Sequence, residues 1–322
     1  MRRWKAHRGK VAALSFSRDG RFLASVTGSG KDVFIWDATA GELVKKLTPG
    51  VQEKPEPLRV NASSIAFAPD ADLLAIGRKH WIEVWNVTDW TLSADHRPGD
   101  EFGTPYELVV SPGPEPIIVS GHTDRLNRWK WWFAGSSFKS HYSWTLNHNA
   151  QLAFSPDGKD LATHTIQELE VWSANGNNWK PSLFRADTGD RAERVGPLRN
   201  LEHPPGNYTG PVRYSPDGSR IAFASTKTIE SHPASLDDPN DVIRYVGHRN
   251  KVWVLRYTPD GRSLISASSD GTARVWDADT GAQKRCFEFD VGKMLAADVS
   301  PDGTIAAVGG ATGEIIVWDL DD

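Results

Sequence analysis

The sequence predicts an all-β protein, a seven-bladed β-propeller whose blades are four-stranded antiparallel sheets. Two observations predict this fold. A tight-turn motif occurs seven times along the chain, and a β-rich run that ends in tryptophan follows most of its copies. No segment between them carries the sustained 3.6-residue apolar period of an amphipathic helix, so we expect almost no helix.

The turn motif consists of an apolar or aromatic residue, a small residue and Pro-Asp-Gly or a close variant. Proline presets φ, aspartate bonds nearby backbone and glycine supplies positive φ, so each copy predicts a tight turn at the end of a strand. The copies are FSRDG at 16–20, FAPDA at 67–71, VSPG at 110–113, FSPDG at 154–158, YSPDG at 214–218, YTPDG at 257–261 and VSPDG at 299–303.

The second motif is a short strand-like run that ends in a repeat tryptophan. These tryptophans are Trp36, Trp85, Trp129, Trp172, Trp276 and Trp318. Their spacings are 49, 44, 43, 104 and 42 residues, and the long interval spans two repeats. The fifth repeat therefore lacks its tryptophan, and Ser231 or His232 falls near the expected place.

The spacing predicts one domain, residues 1–322, because propellers of this length fold as single units. The predicted blade repeats are approximately 1–46, 47–95, 96–139, 140–183, 184–240, 241–284 and 285–322. Three segments break the period and are expected to be loops between blades, namely 173–205, 48–59 and 234–241.

The sixth repeat, GHRNKVWVLRYTPDGRSLISASSDGTARVWD at 247–277, resembles a complete WD repeat. Similarity to this family extends over the whole chain, with varying quality from repeat to repeat. The resemblance implies that the N-terminal strand completes the last blade, so we expect residues 2–6 to pair beside 315–318. Closure of this kind removes an open sheet edge that would invite aggregation.

His248, Ser266 and Asp270 have the composition of a hydrolase triad. The resemblance to WD repeats implies instead a buried hydrogen-bonded tetrad that includes Trp276. No nucleophile elbow accompanies the three residues, which favours the structural interpretation. The first repeat keeps part of the set, namely His7, Ser25 and Trp36. The sixth blade, with the complete set, is therefore predicted to be the most rigid.

Composition narrows the classes of function. Lys and Arg number 37 and Asp and Glu 41, so the net charge of -4 gives no global attraction for nucleic acid or anionic membranes. Cys286 is the single cysteine, and no apolar run is long enough for a membrane helix. The ten histidines are scattered, and no metal site, phosphate loop or cofactor is predicted. We expect a cytoplasmic, monomeric protein.

The run RLNRWKWWF at 125–133 mixes basic and aromatic side chains, which suits nucleic-acid binding by charge and stacking. The competing interpretation makes Trp129 the repeat tryptophan and places Trp131 and Trp132 near the following turn. The acidic net charge favours that second interpretation, so nucleic acid is not expected as a partner.

The resemblance implies that the starts of the innermost strands surround the upper mouth of a central channel. Candidate partner-binding residues there are Tyr106, Glu107, Gln151, Lys251, Trp253, Arg213 and Arg256. Arg213, Arg256 and Asp298 occupy equivalent, deeper positions in three successive blades. An exposed aromatic beside charged groups is typical of interface anchors. The alternatives are a tryptophan that fills space between blades and an Arg256–Asp298 ion pair that is structural.

The predicted function is a non-catalytic scaffold or adaptor that binds protein or peptide partners on one propeller face. This prediction depends mainly on the resemblance, because a fold does not fix a function. Two alternatives stay open. One is a sensor for a small ligand, an anion or RNA that uses Arg213 and Arg256. The other is a hydrolase centred on the channel, which would need several converging acidic or histidine side chains.

Overall fold

The computed structural model describes residues 1–28, 30–49, 61–78, 81–96, 105–114, 116–122, 128–133, 143–145, 151–164, 168–173, 194–199, 210–235, 238 and 240–321. Within these ranges the backbone alone is described for 96, 105–106, 122, 128–133, 143–145, 168, 170, 172–173 and 194–199. The described residues form strands, turns and bends, and none of them is helical. None of them, accordingly, supplies an apolar helix of membrane-spanning length.

The strands form seven four-stranded antiparallel sheets. The first comprises β2 (Ala13–Phe16), β3 (Phe22–Val26), β4 (Val33–Asp37) and β5 (Leu43–Leu47), and the second comprises β6 (Ala62–Phe67), β7 (Leu73–Arg78), β8 (Trp81–Asn86) and β9 (Leu92–His96). The third comprises β10 (Pro105–Val110), β11 (Ile117–His122), β12 (Arg128–Phe133) and β13 (Ser143–Thr145), and the fourth comprises β14 (Gln151–Phe154), β15 (Asp160–His164), β16 (Glu168–Ser173) and β17 (Arg194–Arg199).

The fifth sheet comprises β18 (Val212–Tyr214), β19 (Arg220–Ser225), β20 (Thr228–Pro233) and β21 (Ile243–Tyr245), and the sixth comprises β22 (Val252–Tyr257), β23 (Ser263–Ser268), β24 (Thr272–Asp277) and β25 (Gln283–Glu288). The seventh comprises β26 (Met294–Val299), β27 (Ile305–Gly310), β28 (Glu314–Asp319) and, from the other end of the chain, β1 (Arg2–Lys5). The predicted all-β architecture of seven blades is confirmed.

The innermost strands form a cycle. Strands β2, β6, β10, β14, β18, β22 and β26 each contact the next, and β26 contacts β2. The N-terminal strand β1 pairs antiparallel with β28, with Arg2 opposite Val317 and Lys5 opposite Glu314. The predicted completion of the last blade by the N-terminal strand is therefore confirmed.

The turn motif does more than reverse the chain. A Cβ added to Gly303 would lie 3.1 Å from Cδ of Pro259 in the preceding blade, so this glycine leaves room for the neighbour's proline. The same contact joins Gly158 to Pro112, Gly218 to Pro156, Gly261 to Pro216 and Gly20 to Pro301. All five glycines have φ near +71° to +74°, which strains other residues. Proline and glycine of this motif therefore also align successive blades.

Where the motif lacks its proline, polar contacts replace the packing. Arg18 stands at the proline position of the first blade, and its Nη1 donates to the carbonyl of Asp70 at 3.0 Å. Its Nε also lies 3.2 Å from the carboxylate of Asp72. The amide of Gly113 in turn donates to Oδ2 of Asp70 at 2.7 Å. Hydrogen bonds and an ion pair thus join blades one, two and three at the same level of the ring.

Strand register corrects the assignment of the third repeat tryptophan. Trp276 lies opposite Leu264, and Trp132, not Trp129, lies at the matching position opposite Ile118. The prediction that Trp131 and Trp132 fall near a turn is wrong, because both lie within β12. The extra residues between blades changed the sequence spacing, whereas pairing fixes register directly. The side chains of 125–133 lie outside the described residues, so binding through this run is untested.

In the fifth blade, His232 takes the tryptophan position and lies opposite Ile221. Its ring stacks on Phe223, with 5.5 Å between centroids. Of the two residues proposed for this place, histidine therefore occupies it, and Ser231 points to the other side of the strand.

The expected loop at 173–205 is wrong in part, because β17 forms the outer strand of the fourth sheet within it. The rest of that segment, 174–193 and 200–205, lies outside the described residues, as does most of 48–59. Segment 234–241 carries no strand among its described residues. Outer strands β13, β17 and β21 lie beyond the repeat boundaries at 139, 183 and 240, because the segments that connect them to the preceding strands differ in length.

A hydrogen-bonded chain crosses the sixth blade. Trp276 Nε1 donates to Ser266 Oγ at 2.8 Å, Ser266 lies 2.7 Å from His248 Nε2, and His248 Nδ1 lies 2.9 Å from Asp270 Oδ2. An ionised carboxylate only accepts, so Nδ1 carries the imidazole proton and Nε2 accepts from the serine. Asp270 also accepts from Thr272 Oγ1 at 2.7 Å. Every member of this chain is thereby paired without water.

The first blade keeps a shorter version of this chain. Trp36 Nε1 donates to Ser25 Oγ at 2.8 Å, and Ser25 lies 2.7 Å from His7 Nε2. The ring of Phe34 meets the imidazole of His7 edge-on, with 5.0 Å between centroids. An apolar contact thus adjoins the histidine of blade one, whereas a carboxylate bonds its counterpart in blade six.

We expect Asp270→Ala to lower the free energy of unfolding by about 2–4 kcal/mol, because it leaves a buried imidazole and a backbone amide without their acceptor. Thermal and urea unfolding measure this loss. The exposed Asp279 in the following turn provides a matched control, and Asp279→Ala should change stability by less than about 0.5 kcal/mol. Equal stability of the two variants would contradict a structural role for the network.

Acidification should destabilise the fold through the two buried histidines. Burial lowers the pKa of His7 to about 4 and also lowers that of His248, against an ordinary value of 6.5. Between pH 6.5 and pH 4 the unfolded chain therefore binds more protons than the folded chain. The histidines contribute fully to the free energy of unfolding above pH 6.5, and this contribution falls as the pH drops. We expect His7→Gln to remove about 1–2 kcal/mol of the loss between pH 7.5 and 5, measured by urea unfolding. An unchanged pH slope in the variant would refute this assignment.

Candidate functional site

A cavity of about 820 Å³ runs along the axis of the ring, and the innermost strands of all seven blades line it. Strands in each sheet alternate in direction, so the Pro-Asp-Gly turns all lie at one end, the lower face. The loops that enter the innermost strands lie at the opposite end, the upper face. Glu107 and Gln151 line the upper half of the cavity, each three residues before the last residue of its strand.

The deeper predicted residues occupy equivalent positions. Arg213, Arg256 and Asp298 lie opposite Ala222, Ile265 and Ala307 in their sheets. The cavity is lined by all three of the charged side chains. The structure therefore brings together the three residues that the sequence alignment placed at equivalent positions.

Arg256 and Asp298 form an ion pair, with Nε and Oδ1 2.6 Å apart. The second oxygen of Asp298 accepts the backbone N–H of Phe16 in the next blade at 2.8 Å. Ser15 acts similarly, since its hydroxyl accepts the N–H of Phe67 at 3.1 Å. Side chains at this level thus bond one innermost strand to the next, so the Arg256–Asp298 pair holds blades six, seven and one together.

The charge of Arg213 is less closely paired than that of Arg256. Its Nη2 lies 3.9 Å from Oε1 of Glu107, and its Nη1 donates to the carbonyl of Leu152 at 3.2 Å. Burial, and then the positive charge of Arg256, lower the pKa of Arg213. Burial raises the pKa of Glu107, and the two arginines oppose that rise. At this depth of the channel, the two arginines and the carboxylates of Glu107 and Asp298 therefore compensate each other.

Trp253 is the exposed aromatic side chain at the channel mouth. It lies where the pairing of β22 with β23 shifts register between Val252 and Val254, and such bulges redirect a side chain. The side chain is 39% exposed, and its indole N–H donates to the hydroxyl of Ser269. Lys251 lies beside it, half-buried, and its carbonyl accepts the N–H of Ser269 at 2.8 Å.

Of the other mouth residues, Gln151 is half-buried in β14 and lines the cavity. Tyr106 lies in β10, but its side chain is outside the described residues. The structure thus gathers Glu107, Gln151 and Trp253 around the mouth and leaves the role of Tyr106 as a prediction.

The hydrolase interpretation of the sixth repeat conflicts with burial. Ser266 is 0% exposed, and its hydroxyl already accepts from Trp276. A nucleophile must reach a substrate, and Ser266 does not line the axial cavity. Within the same part of the chain, no group of three or more His, Cys, Asp or Glu side chains could hold a metal ion.

Sequence analysis missed a buried polar cluster in the second blade. Nε of Arg78 lies 2.8 Å from Oε2 of Glu83, and both side chains are almost fully buried. Glu83 also accepts from the indoles of Trp81 and Trp85, at 3.2 and 3.0 Å. Arg78 further donates to the carbonyl of Lys31 in the first blade. The alternation in WIEVW at 81–85, which places both tryptophans and the glutamate on one side of β8, was the available signal.

Comparison with known proteins matches the family model described as "WD domain, G-beta repeat" at residues 1–37 and 240–277. These two ranges contain the hydrogen-bonded chains of His7 and His248. The other five blades lie outside these two ranges and have the same four-stranded order.

Individual relatives agree. The chain is 24% identical over 83% of its length to apoptotic protease-activating factor 1 of Mus musculus, matching 23% of that protein. It is 30% identical over 25% of its length to the guanine nucleotide-binding protein subunit beta of Saccharomyces cerevisiae, matching 18% of it. It is 28% identical over 34% of its length to target of rapamycin complex subunit LST8 of Mus musculus, matching 34% of it.

The chain thus spans well under two thirds of each of these relatives. The repeat matches, the relatives and the seven equivalent sheets agree that this chain carries WD repeats.

Proposed function

We propose that this protein is a non-catalytic interaction scaffold that binds protein or peptide partners on its upper face. The observation that carries the proposal is Trp253, an aromatic side chain 39% exposed at the mouth of the channel. Exposed tryptophans held in place among polar groups are typical anchors of protein interfaces. Ser269 fixes the indole through a hydrogen bond, so little side-chain entropy is lost on binding.

The surroundings of Trp253 support this proposal. It belongs to the sixth blade, whose Trp276–Ser266–His248–Asp270 chain is the complete one among the described blades. A rigid support holds an anchor in one geometry, and this favours recognition of a defined partner. Upper loops can therefore vary in sequence without disturbing the ring beneath them.

The relatives support scaffolding at a general level. Two of them are named as subunits, one of a guanine nucleotide-binding protein and one of a target of rapamycin complex. Membership of an assembly is consistent with a surface that binds other proteins. We propose the same general role here, in a cytoplasmic and monomeric propeller, and leave the identity of its partners to experiment.

The alternative of a small-ligand, anion or RNA sensor receives less support from the channel. Arg256 is paired with Asp298, and Glu107 lies across from Arg213. An anion entering this space would compete with carboxylates already present. Catalysis is likewise disfavoured, because the serine and histidine of the sixth repeat are committed to the buried network.

We expect Trp253→Ala to abolish or strongly reduce capture of partners from a native extract while leaving thermal stability nearly unchanged. Truncating a central aromatic anchor commonly costs 2 kcal/mol or more, about thirtyfold in affinity. Quantitative affinity capture with tagged protein measures the loss. Leu43, 50% exposed on the outer strand β5, provides a matched control, and Leu43→Ala should capture normally.

Undiminished capture by Trp253→Ala would exclude this face as the binding surface. Equal loss in both variants would point to general destabilisation, which the thermal measurement would reveal.

A further inference from the structure

The upper face can be defined in four neighbouring blades by the loops between described strands. Antiparallel order places the connection from second to third strand, and the crossover into the next blade, at the same end. In blades five, six, seven and one the described upper loops are 226–227, 246–251, 269–271, 289–293, 311–313, 6–12 and 27–32, without residue 29. The crossover from blade one into blade two, 48–61, lies mostly outside the described residues.

Backbone hydrogen bonds join these loops across two of the blade boundaries. The N–H of Val252 donates to the carbonyl of Thr226 at 2.7 Å, and this bond joins blades five and six. The N–H of Ala311 donates to Lys293 at 2.9 Å, and the N–H of His7 donates to Gly313 at the same distance. Loops of blades seven and one are therefore held together, as are those of blades five and six.

This surface carries an excess of positive charge. Six of its cationic side chains are exposed, and Lys251 is a seventh, half-buried one. The exposed six are Arg8, Lys10, Lys31, Lys227, Arg249 and Lys293. The pKa of Asp270 is well below its ordinary value because hydrogen bonds from Arg249 N–H, Thr272 and His248 outweigh burial, so it is ionised but already engaged.

In the upper loops that the structure describes, only two other carboxylates occur, Asp32 and Asp290. Asp32 is 16% exposed and lies 2.9 Å from Nζ of Lys46, so its charge is matched locally. Asp290 is the one exposed carboxylate among the described upper loops. A positive field therefore extends from these loops towards solvent.

The lower face has the opposite character. Each Pro-Asp-Gly turn of blades five, six and seven exposes its aspartate, and so does the first turn. Hydroxyls at the turns bond these carboxylates, for example Ser300 Oγ to Asp302 Oδ1 at 2.5 Å, and hold the pKa of Asp302 below its ordinary value. The net charge of -4 therefore conceals a separation of charge between two faces.

We propose that the upper face of blades five, six, seven and one docks an acidic peptide segment of the partner. This inference rests on the proposed scaffold function and names the chemistry of its partner. Carboxylates of the segment bind the lysines and arginines of the upper loops, and an apolar side chain packs on Trp253. The attraction between opposite charges mainly accelerates and orients association of the peptide, and the contact with the tryptophan slows its dissociation.

A peptide fits these observations better than a nucleic acid. Proteins that bind single-stranded nucleic acid use several aromatic platforms along a basic groove. The described upper loops and mouth present Trp253 as their single exposed aromatic side chain.

The test uses a fluorescein-labelled oligoglutamate peptide and fluorescence anisotropy at low and physiological salt. The variant combines Lys10→Glu, Arg249→Glu and Lys293→Glu on three upper loops. The control combines Arg21→Glu, Lys159→Glu and Arg262→Glu on three lower loops and makes the same change in net charge. We expect the upper variant to weaken binding at least about tenfold and the control less than about twofold. Wild-type binding should weaken as salt rises.

Three results would overturn the proposal. They are no saturable binding of the peptide to the folded wild type, equal weakening by both triple variants, and tighter binding of an oligouridylate of similar length. The last result would assign the face to nucleic acid.

A photo-crosslinking amino acid at Asn250 separates this proposal from the scaffold proposal. Asn250 is exposed in an upper loop, and Ser219 provides the lower-face control position. One informative result is a protein that crosslinks at Asn250 but not at Ser219, with a yield that the upper triple variant leaves unchanged. This result would support the scaffold proposal and refute the acidic partner. Crosslinking from neither position, together with normal capture, would refute the choice of face itself.

Discussion

Every blade in this ring contacts two neighbours, and the pairing of β1 with β28 ties the start of the chain into the last blade, beside the contact of β2 with β26. Trp4 on β1 also packs across the seam, with its ring 5.8 Å from that of Trp36 in the first blade. A Cβ on Gly41 would approach the same ring to 3.0 Å. The N-terminal strand therefore closes the circle both through backbone pairing and through apolar packing. Rigid placement of the upper loops follows from this closure.

How far sequence predicts this structure depends on whether a signal is local. The turn motifs located the strands because proline, aspartate and glycine fix backbone geometry wherever they stand. Tryptophan spacing failed in the third blade, where Trp132 takes the position given to Trp129. Spacing counts residues through loops of unknown length, whereas register is set by pairing partners that are distant in sequence. The outer strand β17 was missed for a related reason, because RVGPLR lacks the alternation that marks strands.

The candidate site was predictable to a similar degree. Aligning the innermost strands brought Arg213, Arg256 and Asp298 to one level, since equivalent residues of repeated units occupy equivalent places. Alignment could not show that Asp298 would bond Phe16 or that Glu107 would face Arg213, because those contacts cross blades. The pair of Arg78 and Glu83 lies inside the second blade and was missed because its residues differ from those at the same positions of the sixth repeat. Contacts between repeats, and a pair peculiar to one repeat, were the parts that sequence left open.

Burial decides what each polar residue does in this protein. Histidine, serine and aspartate in the sixth blade have the composition of a catalytic set. Because Ser266 is 0% exposed, these residues form hydrogen bonds with one another and with Trp276 and do not reach a substrate. Arginines in the channel are likewise matched by carboxylates. The charges that remain available to another molecule lie on the loops, where exposed lysines and arginines outnumber exposed carboxylates in the described upper loops, and turn aspartates are exposed on the lower face. Net charge sums over both faces and cancels this difference, so it is a poor guide to partners. The distribution of charge over the two faces, which only the fold reveals, is the property that selects them.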